Sequence, residues 1–371
     1  MELNSFLLDR ELEMGAGGFF RQDLTFISES DLMRTIDWKE ESNSVILVDQ
    51  TLLPKEYRII ECKTLSSLCE AIKSLRIRGA PALGAAGGFG IALAASLSGA
   101  KNIETMMKDL EVAGKALKST RPTAVNLGWG VDRVLGAVSD AFDAQGIRDI
   151  ALQEARDIAE EDVATNKLIG EHGAKFLKDG DTVLTHCNAG RLACVDWGTA
   201  LGVVRSAIAE GKEIKVIACE TRPLNQGSRI TTWELMQDKI PVTLIADSMA
   251  GWAMHQGLVD SVLVGADRIT QDVIFNKIGT YTHSILAKEH EIPFYVAAPI
   301  STFDFNGWEG SVKIEMRSAD ELRFFGSEQL APEEVEVYNP AFDATPMENV
   351  TAIISEKGVF YPPFLLDEVL V

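Results

Sequence analysis

The residues able to do chemistry in this 371-residue chain lie in short strings that follow apolar runs. The string THCNAG (185–190) sets His186, Cys187 and Asn188 side by side, and GADR (265–268) closes an apolar run with Asp267. A carboxyl group at the end of such a run is poorly hydrated, which raises its pKa and lets it donate a proton at neutral pH. Asp267 suits two other roles as well, capping the segment that follows or pairing with Arg268. Cys187 is either a small buried hydrophobe or a nucleophile. His186 and Cys187 are strand neighbours and point to opposite faces, so the Cys-His-Asn string is not read as a protease-like triad.

Anion-binding strings come next. RGAPA (78–82) places Arg78, Gly79 and Ala80 at the proline-led start of a glycine-rich helix, where free N–H groups attract an anion. The bland alternative is a solvated arginine. NKIGT (276–280) brings Asn276 and Lys277 to what reads as another helix start, suited to a phosphate or to simple capping. Gln226 lies in a similar polar string, NQGSR (225–229). GFGIAL (88–93) lacks the third small residue of a dinucleotide loop and no GxxxxGK[ST] occurs, so neither NAD nor ATP is expected; the glycines are better explained by close helix packing. His172, His186, His255, His283 and His290 form no HxH or HExxH spacing, and the cysteines form no CxxC. No metal and no cofactor is expected on that ground.

These strings must be held by regular elements. The runs 181–187, 214–219, 241–246, 261–265 and 293–298 are almost continuously apolar, as parallel strands covered on both faces should be. Helix-like stretches at about 199–210, 229–238, 248–256 and 276–290 alternate with them. That rhythm predicts an α/β fold with a Rossmann-like, doubly wound parallel sheet. The first half differs, with short strands at 34–38, 44–49 and 57–62 and helices at 66–76, on to 97, and at 102–117, 126–142 and 150–177. The expected organisation is an N-terminal small α+β domain over 1–148 and a C-terminal Rossmann-like catalytic domain over 149–371, with no linker between them and a shared interface. In such sheets ligands sit beyond the carboxyl ends of the strands, which is where Cys187, Gln226 and Asp267 fall.

Composition sets the outer limits. A hydrophobic fraction of 46% with 24% charged residues describes a globular protein, excluding disordered, collagenous and disulfide-scaffold classes. The net charge of −20 argues against nucleic acid and anionic lipid as partners, leaving room for a local basic pocket. Cys62, Cys69, Cys187, Cys194 and Cys219 are odd in number, which fits a reducing compartment. The first ten residues carry no basic and apolar signal pattern, so a cytoplasmic location is expected. The uncharged run 79–100 is long enough for a bilayer, yet its glycine, alanine, serine and Pro81 content reads as a tightly packed buried helix, with no membrane expected.

The strings LVDQTLLP (47–54), RGAPA (78–82), TRPTAVNL (120–127), THCNAG (185–190), GTALG (198–202), ETRP (220–223), QGSR (226–229), GADR (265–268), NKIGTY (276–281) and PFYVAAP (293–299) run in order over nearly the whole chain. Together they resemble the methylthioribose-1-phosphate isomerases, whose superfamily also holds ribose-1,5-bisphosphate isomerases and regulatory subunits of translation initiation factor 2B. The resemblance implies an aldose-ketose isomerase acting on a pentose 1-phosphate in methionine salvage, working as a homodimer without metal or redox cofactor. It assigns the catalytic cysteine to Cys187 and the acid/base aspartate to Asp267. Substrate binding it assigns to Arg78, Gly79, Ala80, Arg121, Gln226, Asn276 and Lys277; Arg121 enters only by this route. The chain departs from the family pattern at Arg191, Cys194 and Asp196, at the glycines Gly128 and Gly130, and over 270–275. Those departures flank the expected pocket and keep a related 5-deoxy or 5-substituted pentose 1-phosphate open as substrate. A non-catalytic regulatory subunit on the same scaffold is the alternative of another class.

Overall fold

The computed structural model describes residues 34–364. The first ten residues, read above for a signal sequence, lie outside them, as do the outer ends (1–33 and 365–371) of the two expected domains. Strands β1 (Ile36–Lys39), β2 (Ser44–Val48) and β3 (Ile59–Cys62) form an antiparallel meander, with Ile36 opposite Leu47 and Val45 opposite Cys62. Its alternate residues Ile36, Trp38, Val45 and Leu47 are buried in one core with the helices that follow. These are α1 (Leu65–Lys73), α2 (Ala80–Leu97), α3 (Ile103–Thr120), α4 (Val125–Ala137) and α5 (Ala144–Ala174).

Helix α2 is long and apolar enough to cross a membrane by length and composition, but 72% of it is buried inside the protein. Its glycines are what permit this. A Cβ at Gly87 would lie 2.5 Å from the carbonyl oxygen of Leu127, and one at Gly130 of α4 would lie 2.0 Å from that of Gly84. Two helix backbones in contact at such points leave no room for any side chain. Helix α5 passes from one half of the chain to the other. Its residues up to Val163 pack in the first core and those from Ile169 in a later one, and position 148/149 falls within its first turns.

The second half forms a seven-stranded sheet in the order β15-β14-β10-β7-β4-β5-β6. The five apolar runs become β4 (Thr182–Thr185), β5 (Lys215–Cys219), β6 (Val242–Ile245), β7 (Ser261–Val264) and β10 (Phe294–Ala297), all parallel where they pair. Between them run α6 (Ala200–Ala209), α7 (Thr232–Gln237) and α8 (Ala250–His255), with a π-helical turn over Gly227–Thr231 leading into α7. After β6 the order reverses: β4, β5 and β6 extend one way, whereas β7 and β10 extend the other from β4. The gap between the carboxyl ends of β4 and β7 is therefore the topological switch point, the place in an open α/β sheet where a crevice forms.

One expectation fails here. Residues 276–290 do not form a single helix. Asn276 and Lys277 end strand β9 (Val273–Lys277), which pairs with β8 (Arg268–Ile269) and with a later strand, and α9 (Thr280–Glu289) begins beyond Gly279. Val273, Ile274 and Phe275 favour a strand, and Gly279, at φ +106, supplies a turn that few other residues accept. A small ribbon, β11 (Phe324–Phe325) with β12 (Glu328–Gln329), precedes β13 (Phe342–Pro346), the partner of β9. Strand β14 (Ala352–Ser355) then extends the main sheet, and β15 (Gly358–Phe360) closes it antiparallel.

The two halves are joined by hydrogen bonds rather than a linker. Gln50 Nε2 donates to the Leu192 carbonyl at 2.8 Å, Thr35 Oγ1 to that of Arg191 at 2.8 Å, and Arg229 Nη2 to that of Gln50 at 2.9 Å.

Candidate active site

Cys187 and Asp267 leave the sheet on either side of the switch point, one just beyond β4 and the other just beyond β7. A cleft of about 810 Å³ opens there, and all nine residues singled out from the sequence line it: Arg78, Gly79, Ala80, Arg121, Cys187, Gln226, Asp267, Asn276 and Lys277.

Cys187 sits at φ +64, a conformation that costs a non-glycine residue about 1 kcal/mol or more. Its backbone is held there from both sides. The N–H donates to Thr221 Oγ1 at 2.8 Å and the carbonyl accepts from Thr231 Oγ1 at 2.6 Å. Burial pushes the thiol pKa up, with Arg78 and Lys277 opposing, so Cys187 is protonated at neutral pH. His186 is no base for it. That ring is buried, its Nε2 lies 2.8 Å from the Ile278 carbonyl, and burial pulls its pKa down to about 4.

Asp267 is held by its backbone N–H, which donates to the Phe275 carbonyl at 2.9 Å. Burial pushes its carboxyl above the usual range, against the attraction of Lys277, Arg121 and Arg78. Neither bland role survives. Arg268 turns to Asp304 at 3.3 Å, and the residues after Asp267 form a strand rather than a helix to cap.

Arg78 is buried, donating through Nε to Gln50 Oε1 at 3.0 Å and through its terminal nitrogens to the Asn188 carbonyl at 3.1 and 3.2 Å and to Asn188 Oδ1. It therefore fixes the loop next to Cys187 as well as charging the cleft. Arg121 faces Glu315 at 3.7 Å. Lys277 donates to the Ala341 carbonyl at 2.9 Å and stands 4.5 Å over the Phe342 ring. Gln226 Oε1 and Asn276 Nδ2 are buried without a hydrogen-bond partner among the described residues, although each residue lines the cleft. Buried polar atoms left in that state cost about 1–3 kcal/mol each, which a bound polar molecule would recover. Gly79, at φ +95, and Ala80 bring the start of α2, where helix N–H groups lack intrahelical partners, to the lining of the cleft.

The sequence reading missed the far wall of the cleft, Glu315 and Arg317, which are ion-paired at 2.9 Å. Their alternation with Ile314 and Met316 is a period-two signal, and Met316 does bridge to Pro340. It also missed Glu234, a buried carboxylate that accepts from Asn188 Nδ2 and pairs with Arg205. No local pattern marks that residue.

The departures from the family pattern divide. Gly130 serves helix contact and a Cβ at Gly128 would meet only the Lys118 side chain at 4.0 Å, whereas Phe275 lines a second cavity of about 890 Å³ together with Asn126. That cavity shares Gly79, Ala80, Arg121 and Asp267 with the first and adds apolar walls from Leu83, Pro122, Val125, Val312 and Ile314. Cys194 is buried beside the main cleft, and Arg191 pairs with Asp196 at 2.8 Å.

A switch-point cleft ringed by Arg78, Arg121 and Lys277, with a neutral thiol and a raised carboxyl at its floor, defines an α/β protein built to take a small anionic molecule. Residues 76–362 match the model of the initiation factor 2 subunit family, and the chain belongs to that family. It is 89% identical over 348 residues to a Methanosarcina acetivorans protein named "Putative methylthioribose-1-phosphate isomerase", a match covering 94% of this chain and 100% of that one. Among solved structures it is similar to 5-methylthioribose 1-phosphate isomerase from Pyrococcus horikoshii, with 44% identity, a TM-score of 0.85, and 91% of this chain and 96% of that one covered. It is also similar to a chain described as translation initiation factor eIF-2B, subunit delta, from A. fulgidus, with 57% identity, a TM-score of 0.82, and 90% and 98% covered.

Proposed function

We propose that the protein converts 5-methylthioribose 1-phosphate to 5-methylthioribulose 1-phosphate, with Asp267 as general acid/base and Cys187 as the second catalytic group. The observation that carries this reading is the meeting of Cys187 and Asp267 with Arg78, Arg121 and Lys277 in one cleft. An aldose whose anomeric oxygen bears phosphate cannot open its ring by losing a hydroxyl proton. Asp267, whose pKa burial raises, gives its proton in its protonated form to the ring oxygen as the bond to C1 breaks. The hydrogen on C2 then passes to C1, as a proton through an enediolate or as a hydride, and the O2 proton is lost. In the first route Cys187 takes up the C2 proton after passing its own to the carboxylate left on Asp267, delivers it to C1, and regains a proton from O2. In the second it stays a thiol and stabilises the transition state, and the O2 proton returns to the carboxylate. The cationic side chains and the helix end hold the phosphate throughout.

The apolar walls of the second cavity suit a methylthio group on C5, and a 5-deoxy sugar is the runner-up because it would leave that space unfilled. The eIF-2B-like relative makes a regulatory role the competing class; such a role has no need of a thiol and a carboxyl facing each other across the switch point. Incubation with 5-methylthioribose 1-phosphate, followed by NMR, is expected to show the ketose 1-phosphate. Turnover confined to 5-deoxyribose 1-phosphate would favour the runner-up, and folded protein inert towards both would sink the isomerase reading.

We further propose a homodimer working in the cytoplasm. What supports the dimer is the set of exposed apolar residues on the edge strand β6 and on α8 and α9, namely Leu244, Trp252, Tyr281 and Ile285, with Met249 beside them. Sedimentation at twice the chain mass is the expected result, and Trp252→Glu should shift it towards one chain.

A further inference from the structure

Behind the cleft, on the side of β4 away from Cys187, four side chains meet that no sequence spacing connects. His186 follows β4, Cys219 ends β5, Asp247 follows β6, and His283 lies in the first turn of α9. One ligand-type atom from each, imidazole nitrogen, thiol sulfur or carboxylate oxygen, lies within 4.8 Å of all the others. We propose that these four residues form a tetrahedral site for a divalent metal ion of the zinc class, tying together the carboxyl ends of three adjacent strands.

The geometry carries the assignment. The His186 ring is anchored by Nε2, 2.8 Å from the Ile278 carbonyl, which places the proton there and leaves the Nδ1 lone pair facing the group. His283 Nε2 stands 3.1 Å from that Nδ1, and Asp247 Oδ1 stands 3.8 Å from it. Ligand bonds of about 2.0–2.3 Å at tetrahedral angles require edges of about 3.3–3.6 Å, so the quartet needs only small shifts to close on an ion. Two imidazoles, a thiol and a carboxylate are a donor set of the borderline-soft kind that zinc and cobalt(II) prefer. His186, His283 and Cys219 are fully buried, and on loading the ion replaces the hydrogen bond between His283 Nε2 and His186 Nδ1. On binding, the Cys219 S–H proton leaves to solvent as the sulfur–metal bond forms. The resulting thiolate and the Asp247 carboxylate then balance the dication.

Asp247 is already oriented, accepting from Thr221 N–H at 2.8 Å and Arg222 N–H at 2.7 Å, and the Gly279 backbone presses on the His186 ring, where a Cβ would come within 3.0 Å. Thr221 also holds the Cys187 N–H. The metal would thus brace the loop that carries Cys187, from the far side of His186, which itself borders the cleft.

The test is reconstitution of the whole purified chain with zinc or cobalt(II), removal of free metal by gel filtration, and elemental analysis. About one equivalent per chain is expected, with a tetrahedral cobalt spectrum carrying a thiolate charge-transfer band. The band should vanish in Cys219→Ser, and stoichiometry should collapse in His283→Ala. Wild-type protein that retains less than about one-tenth of an equivalent, or that gives no thiolate band when loaded, overturns the proposal without recourse to any variant. Full stoichiometry persisting in folded Cys219→Ser/His283→Ala also overturns it, because the ion is then held elsewhere.

Discussion

Asp267→Asn is expected to lower kcat by about 10²- to 10⁴-fold, the usual contribution of a positioned general acid, while substrate affinity stays close to that of the unaltered protein. Asparagine keeps the shape of the side chain and its place opposite Arg121 and Lys277 but has no proton to give. The pH profile supplies a second reading of the same group. Burial raises the Asp267 pKa, so the active, protonated form is lost as pH rises through that raised value, and kcat/KM should fall on the alkaline side. That limb should be missing from whatever activity Asp267→Asn retains. Stability follows by linkage. With its folded pKa raised above the unfolded one, protonated Asp267 contributes stability that is complete below the unfolded pKa and is lost as pH rises through the folded one. Asp267→Asn should therefore melt higher than the unaltered protein at neutral pH. Near-normal turnover in the variant would remove Asp267 from the reaction.

Gly79→Ala should destabilise the protein by about 2–4 kcal/mol and raise KM. Two penalties coincide at this residue. Its φ of +95 is poorly tolerated by any residue with a Cβ, and the added carbon would lie 2.3–2.7 Å from the Cα, carbon and oxygen of Ala193. Neither backbone can retreat cheaply. The Ala193 N–H is bonded to the Gly190 carbonyl at 3.0 Å, and neighbouring Leu192 accepts from Gln50. Relief would come from moving the start of α2, and with it the helix end proposed to hold phosphate. Gly136→Ala is the control, since a Cβ there meets nothing within 4 Å and the residue lies in α4. It should stabilise by about 0.5–1 kcal/mol through helix propensity alone. Urea midpoints would separate the two, and matching midpoints would refute the argument from the Ala193 contact.

The elements that the sequence announced most clearly are those whose residues decide their own conformation. The runs that became β4, β5, β7 and β10 are almost continuously apolar because parallel strands are covered on both faces, and this shows in a window of about six residues. Helix α2 was legible for a similar reason, its glycines marking where other backbones must come close. Residues 276–277 were misread because an amide and a lysine before a glycine suit a helix start and a strand end equally. The pairing of β9 with β13, which sets Lys277 opposite Phe342 and Val273 opposite Pro346, decided between them.

The floor of the cleft, too, was readable: Cys187 and Asp267 each end an apolar strand, and the rule that ligands gather at carboxyl ends needs only strand order to become a site. Which strands were neighbours was another matter. The adjacency of β4 to β7 makes the switch point, and it depends on how the sheet is wound, which no local pattern encodes. Arg121 lay in a helix-rich segment with nothing to connect it to the sheet, and Glu315 and Arg317 lay where no element was foreseen. Arg121 reaches the cleft through packing between the halves, and Glu315 and Arg317 through the folding of the second half. The quartet of His186, Cys219, Asp247 and His283 is the extreme case, drawn from four separate segments between residues 186 and 283. By itself, then, the sequence determined the fold class and the strand ends at which the candidate groups Cys187 and Asp267 stand, because hydrophobic period and turn chemistry are short-range properties. The tertiary structure alone decided which charges face those groups and which ligand atoms converge behind them, because such contacts arise only when the sheet has chosen its neighbours.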